Sequence, residues 1–532
     1  MIVESVVKSM EERRRLALRI SKDNENRKGI QDIAYQKQRE KEERLNELIP
    51  EHEQKYMEDI RKEKIKKLID ELADYLSKHY SNELRGSMFN KSVREYLGQI
   101  IERYIKENKI VISGYQDEKE LAKEMLNEIA GLGPIDAIIE KGKGKISEIW
   151  VNGENPITNE VDVYYEMGGV KYKETEIKFR SKEHAFEVAK KIARNGQQAI
   201  GDTQPIANVR YPDGRVNIVI SPIATGGGGP YISFRLFPED SLLPEDFVKK
   251  GVMSEELRQF LAIAIKYGAN GLFVGATGSG KTTTLAGMIH EISDDERILL
   301  MEDTEEMRLR HKYPNKHIIT EEVSLNRTNE EMNFDLSKLT INALRQKPDY
   351  MIYGEVRDKA AYHMLNGANT GHKVWSTIHA RSATNAIQRL KNMILEHGSK
   401  MDPDSIGAWI VESIDIIVFQ QLYPDKVRRV KEVVQLIDYK DGKPIINKLF
   451  EFVIEDMDEN GNYIGKHYRT GRINRELAEF LLHEGATIEE LEPFMKAPES
   501  VPKNTITSKL DEYYQSGEET NLKQLEEERN DL

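Results

Sequence analysis

"GLFVGATGSGKTTTLAGMIHEI", Gly271 to Ile292, begins as an apolar run, breaks at a glycine-rich turn and resumes with helical spacing. Within it Gly275-Ala276-Thr277-Gly278-Ser279-Gly280-Lys281-Thr282 fits G-x-x-x-x-G-K-[ST], with a strand before it and a helix after. The glycines let the backbone curl so that successive N–H groups point at phosphate oxygens. Lys281 is placed to reach the β- and γ-phosphates, the Thr282 hydroxyl to hold Mg2+, and Thr283 to close the loop under the helix's positive end. ATP with Mg2+ is the expected ligand. A plain glycine-rich turn is the competing reading, and the strand–loop–helix context disfavours it.

Working outward, "NGLFV", "ERILLM", "YMIYGE", "HKVWSTIH" and "IDIIVF" alternate with helical segments across residues 238–440. That alternation predicts a parallel α/β sheet. Two strands end in carboxylates, where ligands gather in open sheets: Glu302-Asp303, continuing to Glu306, and Gly354-Glu355. Such groups orient an attacking water or bind Mg2+ through water, and Glu302 and Glu306 are equal candidates. Gly354 stands where many phosphate-loop enzymes carry an aspartate. "VWSTIHARS" places His379 at a further strand end, a position where a lone histidine is as a rule packed or solvated.

The chain has 532 residues, which predicts several domains, and no cysteine, which excludes disulfides, thiolate zinc sites and cysteine nucleophiles. Lys and Arg total 78 against 91 Asp and Glu, a net charge of -13 that argues against direct nucleic-acid binding. No apolar run is long enough to span a bilayer, so a soluble, cytoplasmic chain is expected. Residues 1–80 read as a charged helical arm and residues 81–237 as a small α+β domain. Residues 441–496 read as a small β/helical extension, and residues 497–532 as a polar, disordered tail. Gly226–Gly229 and the segment after Phe237 are the expected hinges. "KVRRVKE", Lys426 to Glu432, is basic but short and reads as a solvated strand edge.

Four boxes in order resemble the traffic ATPases of bacterial and archaeal type II and type IV secretion and pilus systems. They are "GATGSGKTTT", "EDTEEMRL", "GEVRD" and "GHKVWSTIHARSATNAIQRL". The similarity runs from about Leu121 to Gly485 and includes "GLGPIDAII", "ISEIWVNG" and "SFRLF". Within the family the chain looks like the Tad-pilus and conjugative branch. It lacks the four-cysteine module of the pilus-extension branch and reads Asp-Thr rather than Asp-Pro in the second box. The resemblance implies a RecA-like P-loop ATPase domain preceded by a small PAS-like domain. It also implies a ring of six, recruited peripherally to the cytoplasmic face of the membrane by platform or secretion-channel proteins. It makes His379 the residue that senses the γ-phosphate or couples its loss to domain motion, with His372 beside it, and Arg235 the small-domain arginine facing that phosphate across a cleft. Arg215 is the weaker match because "PDGRVN" is one residue shorter than the usual pattern.

ATP hydrolysis is the expected reaction, with Lys281, Thr282 and Mg2+ neutralising phosphate charge while Glu355, with Glu306 or Glu302, orients water. A DNA-translocating or recombinase-type ATPase is the alternative, disfavoured by the acidic balance and the lack of a basic, aromatic-interleaved channel segment. A nucleotide-gated scaffold and a nucleotide kinase fit less well, since the carboxylates are present and no acceptor motif is visible. If His379 is a sensor, His379→Ala lowers turnover while sparing nucleotide binding. Turnover at the parental rate in a phosphate-release assay returns the histidine to ordinary packing.

Overall fold

The computed structural model describes residues 51–226, 228–237, 242–324, 333–498 and 505–506, in which helices precede two separate sheets. The first described helix, Glu51–His79, carries Ile65, Leu68, Leu72 and Leu76 at three- and four-residue spacing, so they form one stripe. That stripe packs on Leu97, Ile101 and Ile105 of helix Lys91–Glu107 and on Leu121 and Met125 of helix Glu118–Ala130. Both partners are capped as their sequences predict: Asn90 accepts from the Val93 N–H, and Asp117 from those of Lys119 and Glu120. The boundary expected at residue 80 therefore falls inside one hydrophobic core. Residues 1–50 of the arm expected over 1–80, and most of the tail, lie outside the described residues.

The small domain is an antiparallel sheet of β1 (Ile146–Glu154), β2 (Val161–Met167), β3 (Val170–Lys173), β4 (Ile206–Tyr211), β5 (Gly214–Val219) and β6 (Tyr231–Leu236), in the order β3-β2-β1-β6-β5-β4. Helix Lys182–Asn195, capped by Ser181, buries Ala185, Val188, Ala189 and Ile192 against it. Cross-strand register sets Arg210 opposite Arg215, Arg215 opposite Arg235, and Arg235 opposite Glu148. Directly opposed residues share a face. Three arginines thus form a row that ends at a glutamate.

The second sheet contains β7 (Gly271–Gly275), β8 (Ile298–Glu302), β9 (Ile318–Glu322), β10 (Tyr350–Tyr353), β11 (Lys373–His379), β12 (Ile416–Leu422), β13 (Arg428–Lys440), β14 (Lys443–Met457) and β15 (Tyr463–Arg469). Their order is β15-β14-β13-β12-β7-β11-β10-β8-β9, parallel from β12 to β9 and antiparallel from β12 to β15. The parallel strands are covered on both faces, which is why β7, β8 and β10 are buried at every residue and read as unbroken apolar runs. All five expected strands are present in this parallel α/β domain.

β9, "IITEE", is an addition, invisible to an apolar-run reading because it is half polar. Residues 441–496 are not a separate extension. β14 and β15 lengthen the same sheet, and Leu449, Phe450, Leu477, Leu481 and Phe494 share a core with Phe247, Phe260 and Phe273. "KVRRVKE" is likewise no solvated edge, because β13 is interior to the sheet and Arg429 is buried against Asp425. No helix among the described residues is long and apolar enough to cross a membrane.

Leu72 is fully buried, so Leu72→Ala is expected to cost about 2–5 kcal/mol through lost burial and the cavity left behind. Hydrogen exchange should then report faster opening of residues 91–130 with little change in β7–β12. Unchanged protection in residues 91–130 would show that the long helix is not part of that core.

Candidate functional site

Strand register assembles the site. β7 and β11 pair in parallel with Gly275 beside His379, and β10 pairs with β8, so the strands deliver Gly275, His379, Glu355 and Glu302 to one edge of the sheet. Gly275 has no room for a side chain: a Cβ there would lie 2.1 Å from the Gln420 carbonyl oxygen. Gly278 and Gly280 sit at φ +77° and +93°, the left-handed region that glycine adopts without strain. Ala276, Thr277 and Gly278 are exposed while Ser279 and Lys281 are buried, and Thr282 and Thr283 lie half-buried at the start of helix Lys281–Met288. No side chain caps that helix. Its first N–H groups, together with the buried Ser279 hydroxyl that lacks a partner, are left for an anion.

Lys281 donates from Nζ to the Ala276 carbonyl at 3.0 Å and lies 3.4 Å from His379 Nδ1. On its other side His379 Nε2 is 3.2 Å from Glu355 Oε2. Burial, then the neighbouring Lys281 charge, hold His379 below its ordinary pKa, so the ring is neutral at pH 7. A neutral ring that accepts from the lysine at Nδ1 carries its proton on Nε2, the nitrogen that faces Glu355. Burial alone would raise Glu355, but the hydrogen bonds from Arg357 and the Arg357 and Lys281 charges hold it below the usual carboxylate value. Arg357 grips Glu355 through Nε at 2.9 Å and Nη2 at 2.7 Å, and Nη1 lies 3.6 Å from Asp303. Lys281 itself is pushed down to about 8 by burial, only partly relieved by Glu355.

Glu302 behaves differently. It is 3% exposed, and its Oε1 accepts from the Glu306 and Met307 N–H groups while Oε2 has no partner. Burial pushes its carboxyl up to about 8, so it is protonated at neutral pH. A Cβ on Gly354 would lie 2.7 Å from Glu302 Cγ. The glycine in place of the common aspartate is thus what admits the Glu302 side chain beneath the loop. Glu306 turns the other way and meets Arg215 at 3.3 Å.

Of the residues singled out in sequence, the structure brings Lys281, His379 and Glu355 into direct contact and puts Glu302 under Glu306. Arg215 faces the carboxylates of the second sheet, and Arg210 pairs with Glu305 and Glu322 at 2.7 and 2.6 Å. Arg235 does not reach across: its Nε is held by Glu148 of β1 at 2.7 Å. His372 lies at the opposite end of β11 from His379, about 20 Å away at strand rise, bonding locally near Thr370 and the Gly367 carbonyl. Arg357, Gln420 and Arg428 were not expected. Arg357 was present in the "GEVRD" box, and Arg428 in the basic "KVRRVKE", but their partners are set by folding.

The sequence profile described as Type II/IV secretion system protein matches residues 146–486. The chain belongs to this family. This secretion-family chain is 30% identical over 258 residues to the probable conjugal transfer protein TrbB of Sinorhizobium fredii, a stretch covering 47% of this chain and 74% of that protein. It is 28% identical over 269 residues to the type IV secretion system protein VirB11 of Bartonella henselae, covering 43% and 74%. An uncharacterized protein of Methanocaldococcus jannaschii is 27% identical over 334 residues, covering 61% of this chain and 57% of its own length. Among solved structures, the Yersinia pseudotuberculosis ATPase DotB aligns over 68% of this chain and 83% of its own, at 18% identity and a TM-score of 0.41. That superposition is loose, and the family assignment stands on the sequence match.

Phosphate oxygens beside Lys281 restore the counter-charge that burial denies it. Its pKa then rises from about 8. Below pH 7 the lysine is protonated with or without ligand, so there is no linkage. Near pH 8 binding of a polyphosphate is expected to take up about half a proton, and affinity falls as pH rises further. Calorimetry in two buffers of different ionisation enthalpy measures the uptake, which should vanish in Lys281→Met. Equal heats from the parent protein in both buffers would rule out this environment for Lys281.

Proposed function

We propose that this chain is an ATP-hydrolysing motor that works as a ring of six at the cytoplasmic face of the membrane and powers type IV secretion, conjugation or Tad-type pilus assembly. The observation that carries the reading is the contact chain Lys281–His379–Glu355 at the mouth of the glycine loop. The names of the relatives TrbB and VirB11 support the transport role, and the cysteine-free sequence fits the Tad and conjugative branch.

The loop N–H groups and Lys281 bind the β- and γ-phosphates, and Thr282 is the residue that would hold Mg2+. That ion supplies positive charge to the phosphates when bound. Glu355, ionised and fixed by Arg357, is the group able to orient an attacking water. Glu302, protonated at neutral pH, instead braces the Glu306–Met307 backbone. His379 touches both the phosphate-binding lysine and the water-orienting carboxylate, so loss of the γ-phosphate changes its two partners together. Arg215 and Arg235 belong to the facing domain, and closing the cleft brings their guanidinium forks toward the terminal phosphate. The platform and channel proteins that recruit the ring are proposed by the same family reasoning.

Lys281→Ala is expected to abolish phosphate release in a protein that still folds. Arg235→Ala should keep ATP binding within a few-fold yet lower hydrolysis by roughly 10³, with Arg215→Ala a weaker copy. Normal turnover by folded Lys281→Ala defeats the assignment. Normal turnover by both arginine variants defeats only the cleft-closing part.

A further inference from the structure

The loop is handled from two sides, and only one of them carries the hydrolytic groups. β11, β10 and β8 bring His379, Glu355 and Glu302 to one flank of β7. On the opposite flank stand β12 and β13. From there Arg428 donates through Nε to the Gly278 carbonyl at 2.8 Å. A Cβ on Gly280 would meet Arg428 Cδ at 2.9 Å and Gln420 Nε2 at 3.0 Å, so both side chains lie directly on the loop. Among the described residues this bond is the one Arg428 makes, and no carboxylate lies within ion-pair distance of it. The buried Gln420 Oε1 beside it also lacks a partner.

We propose that Arg428 recognises the nucleoside end of the bound nucleotide. The inference rests on the nucleotide-binding reading of the loop. With the terminal phosphate directed to Lys281, His379 and Glu355, the rest of the molecule extends toward the other flank, where Arg428 waits half-buried. A guanidinium suits that end because its plane stacks on a base face while its outer N–H groups serve ribose or ring acceptors. Nε, spent on Gly278, fixes the plane at the loop crest and leaves Nη1 and Nη2 for the ligand. Gln420 Oε1 adds an acceptor on the same flank.

Binding of MgATP and of magnesium tripolyphosphate to the full chain, measured by calorimetry, separates this role from bracing of the loop. Arg428→Gln should weaken ATP about tenfold, the size of one charge-assisted hydrogen bond, and leave tripolyphosphate unchanged. Arg428→Lys, which keeps the charge but loses the plane, should recover only part of the loss. An equal loss for both ligands makes Arg428 a brace and overturns the proposal, as does no loss for either. If the parent protein binds tripolyphosphate and ATP equally, nucleoside recognition is absent and the proposal fails while the phosphate loop stands. If it binds neither, the nucleotide reading and this inference fall together.

Discussion

Everything at the site depends on the parallel pairing of β7 with β11, which sets Gly275 beside His379. The pairing is held by burial on both faces, with Leu272, Phe273, Val274, Trp375 and Ile378 all at 0% exposure. A slip of one residue would turn each of these side chains to the opposite face, so the register is specified by packing rather than by the polar groups of the site. Once it is set, the loop after β7 and the histidine ending β11 meet without any contact of their own having to bring them together. Gly275 adds the close approach of β12, whose Gln420 carbonyl leaves no space for a side chain.

Buried charge explains much of the remaining chemistry. Lys281 and Glu302 lie on the same edge with opposite fates, the lysine pushed down to about 8 and the glutamate up to about 8. The lysine is destabilised as a cation by burial, which Glu355, itself engaged by Arg357, relieves only in part. It is thereby poised for a polyanion. Glu302 has two backbone donors on one oxygen and nothing on the other, which suits a neutral carboxyl bracing the second box.

The parts of this arrangement legible in the sequence were those written locally. The glycine loop, the apolar strands and the strand-end Glu355 and His379 lie within a few residues of their own signals. What was not legible depended on distant partners. Leu72 and Leu76 read as part of a charged arm because the surfaces they bury against, around Leu97 and Met125, come later in the chain. β14 and β15 looked like an appendage because their pairing onto β13 is invisible to local periodicity. Arg428 lies 150 residues from the Gly278 carbonyl it bonds. The role of His372 failed for a geometric reason: a seven-residue strand separates it from His379, and the two ends of a strand face different chemistry.

The row of arginines on β4 to β6 has a consequence for how the two sheets stay together. Their junction is made of ion pairs, Arg210 with Glu305 and Glu322, Arg215 with Glu306, and Arg308 with Asp213. Arg210 and Arg215 keep 55% and 43% of their side-chain surface in water, so each pair contributes on the order of 0–1 kcal/mol. At cellular ionic strength the Debye length is about 8 Å, so beyond their direct partners these exposed charges are largely screened. Pairs of this kind exchange their partners for water and salt as they part, so that share of the seam separates and re-forms at little cost.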